Sequence, residues 1–204
     1  MPDWVQNKLE IFNNKEEVLK AIEGDETAFD FEKVIPIPTK LKIMRGDFVH
    51  KIRNKRSIIE VIEEIKGLQE DNREEVFLNL MKAIRNQYLY GYTDWHDWCI
   101  GNWGTKWNAF ETEIRDGCLY FQTAWGAPLN VIKELSKKYP DTEFKLTYAS
   151  EDYGRNCGRI IYLAGEITEE IDENNSNDCM KFVFELWPNS REYFEKVDEG
   201  YRTL

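Results

Sequence analysis

Asp94, His96, Asp97 and Cys99 fall within six consecutive residues. These residue types bind metals, move protons or attack carbonyl carbon. A histidine between two carboxylates can act as a general base, with one carboxylate orienting the ring. A metal centre needs further ligands, and His50 is the one other histidine of the chain. A cysteine nucleophile needs an oxyanion-stabilising motif and a third orienting group, and neither can be placed. No Walker or Rossmann glycine pattern occurs. We therefore read this cluster as hydrogen-bonded packing. No catalytic residue, no metal ligand and no cofactor is assigned, so the reading leans away from an enzyme. The alternative kept open is a nucleotide- or nucleic-acid-processing enzyme centred on His96, Asp94 and Asp97.

Binding chemistry is better represented. Four of the seven tryptophans lie in the stretch Thr93–Trp107, interleaved with Asp, Asn, Thr and Lys. Indoles packed this densely either fill a core or wall a pocket. As core, Trp103 and Trp107 lock an insertion onto the rest of the fold. As pocket, the rings stack on a flat ligand such as a nucleobase while a cation meets its phosphate. The turn Gly154-Arg155-Asn156-Cys157-Gly158-Arg159 supplies backbone N–H groups and two guanidinium groups suited to an anion, or is a plain hairpin loop. The candidate ligand- or partner-binding residues are Trp98, Asn102, Trp103, Lys106, Trp107, Trp125, Arg155 and Arg159.

The bulk properties narrow the classes. A chain of 204 residues with 42 % hydrophobic and 14 % aromatic residues can bury a core and is not globally disordered. A net charge of −11 argues against unspecific binding to nucleic acid or a membrane surface. No apolar run approaches the length of a membrane helix, and Met1-Pro2-Asp3-Trp4 does not open like a signal peptide. Cys99, Cys118, Cys157 and Cys179 show no zinc or disulfide-framework spacing, so reduced thiols in a cytoplasmic protein are expected. Residues 40–56 reverse the overall charge, with seven Lys and Arg against Asp47 alone.

The elements that must position these residues follow from periodicity. Trp4–Phe12 alternates as a strand with one buried face. Asn14 and Glu17 open a short helix through Val18, Leu19 and Ile22. Pro36 and Pro38 bar a central strand near 34–38. Two helices follow, one after Ser57 with apolar positions to Ile65, one from about Asn72 to Tyr88. Ala109–Arg115 and Cys118–Trp125 alternate around Asp116-Gly117, a strong hairpin signal. Pro128 starts a helix that Pro140 ends. Further strands are expected near 144–148, 159–165 and 181–187, with a solvated acidic loop at 166–180 and a short helix beyond Asn189. Without 25–107 the order is strand, helix, strand, strand, helix, strand. The expectation is an α+β fold: a ferredoxin-like split βαβ antiparallel sheet with a helical insertion and a C-terminal extension. The domain over 1–165 would carry the insertion at 25–107, and an acidic extension over 166–204 would pack on it.

Several pieces resemble one family. They are Met1-Pro2-x-Trp4 with Asn7 and Leu9, Phe29-Asp30-Phe31 with Ile35-Pro36 and Pro38, and Asn102-Trp103-Gly104-Thr105-Lys106-Trp107. Thr123-Ala124-Trp125 with Pro128, then Leu135-Ser136 and Tyr139-Pro140, complete the set. Together they resemble the YubB-type ferredoxin-like proteins of plasmids and bacteriophages, a family of unknown function. Val5 stands where that family often has Cys, and Gly126 where it has Ser. The resemblance supports the fold and implies a mobile-element, cytoplasmic setting, without an active site. The functional expectation is a non-enzymatic phage or plasmid accessory protein engaged in counter-defence. It would inhibit a host immune effector through an acidic surface built from 166–204, or sequester a nucleotide second messenger in a Trp-lined pocket. Its partner would thus be a host defence protein or a nucleotide, with no membrane and no direct nucleic-acid contact. An RNA-binding ferredoxin-like module is a further alternative, against which the overall charge argues.

Overall fold

A computed structural model describes residues 3–44, 46, 49, 51, 57–171, 177–197 and 200–204. His50, Arg45, Asp47, Arg53, Lys55 and Arg56 of the basic stretch, and Asp172, Glu173, Asp198 and Glu199 of the acidic one, lie outside the described residues. The elements in chain order are β1 (Trp4–Phe12), α1 (Lys15–Ile22), α2 (Ile58–Lys66), α3 (Glu70–Tyr90), α4 (Trp95–Trp103), β2 (Phe110–Arg115), β3 (Cys118–Ala124) and α5 (Leu129–Lys138). Then come β4 (Glu143–Ser150), β5 (Cys157–Leu163), β6 (Glu166–Ile171), α6 (Asn177–Leu186), β7 (Phe194–Val197) and β8 (Gly200–Thr203). The chain forms two compact units, Met1–Pro36 with Asn102–Leu204, and Ile37–Gly101.

In the first unit the strands order β2-β3-β1-β4-β5-β6, antiparallel throughout. The first four are the split βαβ of a ferredoxin-like fold. β1 pairs with β3 through Leu9↔Leu119 and with β4 through Leu9↔Leu146. One face is therefore apolar: Val5, Leu9, Phe121, Phe144 and Leu146 are buried, and Val18, Ile22, Val131, Ile132 and Leu135 of α1 and α5 are buried with them. The β2–β3 turn is Asp116-Gly117, both at positive φ, the two-residue geometry that hairpin twist favours.

The C-terminal third departs from the sequence reading. The stretch 166–180, expected as a solvated loop, supplies β6 and the start of α6. Ala164 and Gly165 take positive φ and turn the chain back onto β5, where an edge strand tolerates glutamates facing water. Lys181–Trp187, expected as a strand, lies mostly in helix α6. Its apolar run fits both periods; burial of Cys179, Met180, Val183 and Leu186 against Ala149 and Cys157 decides for the period of 3.6. The short helix beyond Asn189 is a 3-10 turn at Pro188–Tyr193, and the β7–β8 hairpin after it had no expectation. The expectation of reduced thiols fails for two cysteines: Cys157 and Cys179 form a disulfide with Cα atoms 5.7 Å apart. Their distant positions in sequence hid a pairing that packing α6 on β5 creates.

Glu185 of α6 fastens this helix to the sheet, bonding Lys8 at 2.8 Å and Arg159 at 3.1 Å. Burial alone would lower the Lys8 pKa, but the hydrogen bond and charge of Glu185, with Glu10, outweigh it and hold it above the ordinary value. Burial, then Glu170, pushes the Tyr162 phenol up to about 12. Both groups hold their protons more tightly folded than unfolded. Their contributions are complete below about pH 10 and are lost as pH rises through the folded pKa. Urea unfolding should show stability falling between pH 10 and 12, less steeply for Tyr162→Phe; equal slopes would contradict the assignment. Cys157→Ser/Cys179→Ser should cost about 3 kcal/mol and lower the thermal midpoint by about 6–12 °C. An unchanged midpoint would count against the bond.

Candidate functional site: an aromatic patch at one end of the sheet

The segment after α4 is laid against the end of β3. Gly104 turns the chain at φ 84°, Thr105 Oγ1 donates to the Ala124 carbonyl at 2.8 Å, and the Lys106 amide reaches the same oxygen at 3.4 Å. Lys106 and Trp107 therefore emerge beside Trp125. Trp125 sits at φ 74°, a left-handed conformation that costs a non-glycine residue about 1–2 kcal/mol. Its amide donates to the Asp3 carbonyl at 2.8 Å and its carbonyl accepts from Asn156 Nδ2 at 3.0 Å. Thr123 Oγ1 closes the loop onto the Gly126 carbonyl at 2.8 Å. Trp4 is pinned by Glu151, whose Oε1 accepts from the Trp4 amide at 2.7 Å and whose amide donates to the Trp4 carbonyl at 2.9 Å.

The result is a group of rings around one ammonium. Lys106 Nζ lies 4.1 Å from the Trp107 ring centroid and 4.7 Å from that of Trp125. Trp4 stacks on Phe110 at 5.3 Å and 22°, and meets Trp107 at 6.2 Å. Ala124, opposite Trp4 in the pairing, is small enough for rings from β1 and β2 to meet across β3. The patch is open: Trp107 is 36 % exposed, Trp125 45 % and Phe110 51 %. Glu111 and Asn156, next to Phe110 and bonded to Trp125, also take positive φ. Backbone strain thus gathers where large apolar rings face water. Such a surface can anchor a partner or stack on flat groups.

The other sequence-predicted residues lie elsewhere. Trp103 is 2 % exposed; its Nε1 donates to the Ile35 carbonyl at 2.9 Å and its ring meets Phe31 edge-on. It belongs to the core with Phe29, Phe31 and Phe121. Trp98 is buried within the unit Ile37–Gly101, and Asn102 is half-buried. Arg159 bonds Thr147 Oγ1 at 3.0 Å as well as Glu185, so its guanidinium holds α6. Arg155 is exposed, 3.9 Å from Asp152. The structure therefore brings together Lys106, Trp107 and Trp125, and adds Trp4 and Phe110. The signal of Trp4 was present, since it shares the polar side of β1 with Gln6, Lys8 and Glu10. Phe110 gave none, because alternation groups it with Ile114 and only the register shift between Phe110 and Glu113 turns it to the Trp4 face.

Asp94, His96 and Asp97 do converge, with ligand-type atoms within 4.8 Å of one another. Much of this is local: Asp94 Oδ1 accepts from the His96 amide at 2.9 Å and Oδ2 from Thr93 Oγ1 at 3.1 Å, while His96 Nδ1 lies 2.9 Å from Asp97 Oδ1. Asp94 thereby caps the start of α4. Asp94 and His96 are buried, which suits helix capping and leaves little room for a substrate.

Comparison with a protein-family model agrees on fold. Residues 102–198 match the family described as a ferredoxin-like domain in Api92-like protein. The chain is also similar to the crystal structure of a protein api92 from Yersinia pseudotuberculosis, at 12 % identity and a TM-score of 0.41, covering 84 % of this chain and 98 % of that one. No curated protein matches. The match supports a ferredoxin-like domain and says nothing of origin or activity. Among the described residues no helix is long and apolar enough to cross a membrane.

The platform has little slack. A Cβ on Gly126 would stand 2.8 Å from the Gly104 carbonyl oxygen. Gly126→Ala should therefore cost about 1–3 kcal/mol and shift tryptophan fluorescence; a neutral effect would mean the two loops are not packed as described.

Proposed function

We propose that the chain is a non-enzymatic binding protein, acting in counter-defence for a phage or plasmid, that docks on a basic surface of a host defence protein in the cytoplasm. Its contact would be the patch of Trp4, Lys106, Trp107, Phe110 and Trp125. The observation that carries this is a set of exposed rings held on strained backbone within a strongly acidic unit. Ile37–Gly101 holds eleven Lys and Arg against ten Asp and Glu, a net of +1; the rest holds sixteen against twenty-eight, a net of −12. Tryptophan anchors supply affinity while surrounding charge steers the encounter. The resemblance to mobile-element proteins motivates the biological setting. Within the acidic C-terminal surface Glu185 is tied to Lys8 and Arg159, and Glu195 to Arg202, so we place the main contact on the rings.

One observation favours a second reading. An ammonium between two indoles suits a flat, anionic ligand such as a nucleotide signal. Affinity capture from carrying host cells separates the two. The unaltered chain should retain a host protein, Trp107→Ala/Trp125→Ala should weaken that binding about tenfold or more, and rising salt should weaken it further. Retention by the double variant, or indifference to salt, would overturn the docking reading. Calorimetric heat with cyclic or linear nucleotides, lost in the double variant, would select the nucleotide.

A further inference from the structure

Among the described residues of the unit Ile37–Gly101, the helix pair α2 and α3 leaves much of its apolar surface uncovered. Between α2 and α3 the buried hydrophobic cluster is Val61, Ile65 and Leu80, with Ile62, Leu68, Val76 and Ile84 only partly covered. Ile58, Ile59, Phe77, Leu78, Met81, Tyr88 and Leu89 are exposed. On α3, Phe77, Met81, Ile84 and Tyr88 follow one another at intervals of four, three and four residues. That spacing draws a single stripe along a helix, the seam of paired helices. The stripe runs about 16 Å at 1.5 Å per residue. Beside it lies a groove of about 490 Å³ between the two helices, lined by Ile62, Ile65, Lys66, Arg73, Glu74 and Phe77.

The charge along α3 is polarised. Its first six residues hold Glu70, Asp71, Glu74 and Glu75 against Arg73; beyond them stand Lys82 and Arg85 with no acidic residue. A lipid surface would want a cationic border throughout, and this helix has an acidic one over its first half. A parallel copy would set acid on acid. An antiparallel copy sets Glu74 opposite Arg85 twice, about a centre between residues 79 and 80, and brings Phe77 of each copy next to Met81 of the other. Glu74 and Arg85 are both exposed and flank the apolar stripe on the same side.

We propose that this face is a self-association surface: two copies pair α3 against α3 antiparallel about a two-fold axis. The Phe77 and Met81 side chains of each copy enter the other's α2–α3 groove, and the two helix pairs close into a four-helix arrangement. Such an interface is isologous, so one patch must complement itself, and the polarised charge of α3 meets that condition. Pairing also covers apolar side chains of α2 and α3 that are exposed among the described residues.

Sedimentation equilibrium on the full chain over a micromolar range tests this. The unaltered chain should be dimeric and Phe77→Glu/Met81→Glu monomeric. Arg85→Glu alone and Glu74→Arg alone should each weaken self-association about tenfold, and an equal mixture of those two single variants should restore the dimer. The single variants alter exposed residues, so the mixture decides even where the apolar double variant loses helicity by circular dichroism. A monomer at every concentration, a dimer that no substitution weakens, or a mixture no tighter than its components would overturn the proposal.

Discussion

β1 is hydrogen-bonded on both sides, to β3 and to β4, and its alternation sets the side of every other element. Val5, Leu9 and Ile11 face the helices, and Trp4, Gln6, Lys8 and Glu10 face the other way. A shift of one residue would exchange the two sets. Asn7, buried on the apolar face, ties that register down. Its Nδ2 donates to the Val5 carbonyl and Thr123 Oγ1 at 2.9 Å and to the Phe121 carbonyl at 3.3 Å. A buried amide left without such partners is costly, so a slipped register is disfavoured twice.

The aromatic patch is a consequence of that register. Thr123, bonded by Asn7, passes a hydrogen bond to the Gly126 carbonyl, and Gly126 lies against Gly104. The chain of contacts from the centre of the sheet thus ends at the loops that carry Trp107 and Trp125. Those rings are presented by rigid backbone, with the left-handed Trp125 held from both sides. Prepaid rigidity of this kind limits the entropy lost when a surface binds. On the same side of the sheet α6 covers the neighbouring strands and holds Lys8 and Arg159 through one carboxylate, so these two cations are engaged within the fold.

The amphipathic strands and the Asp116-Gly117 turn were legible because short-range rules govern them. Trp4–Phe12, Ala109–Arg115 and Cys118–Trp125 alternate cleanly, and a two-residue turn admits few geometries. The split βαβ order followed from these with no tertiary information. Of the patch, the indoles and Lys106 stood out by density, yet Trp103 and Trp107 could not be separated: they sit four residues apart in one motif, and one is core while the other is surface. Trp4 and Phe110 are 106 residues apart, and only strand pairing makes them neighbours.

The sequence by itself determined the strand and helix periods of the central fold, the hairpin between β2 and β3, and the strong negative charge. The period of Lys181–Trp187, the Cys157–Cys179 bond, and which tryptophans reach water were decided by tertiary structure. Periodicity reports how one face of an element meets solvent or core. It is silent where a segment fits two periods, or where the deciding contact is made by residues far away along the chain.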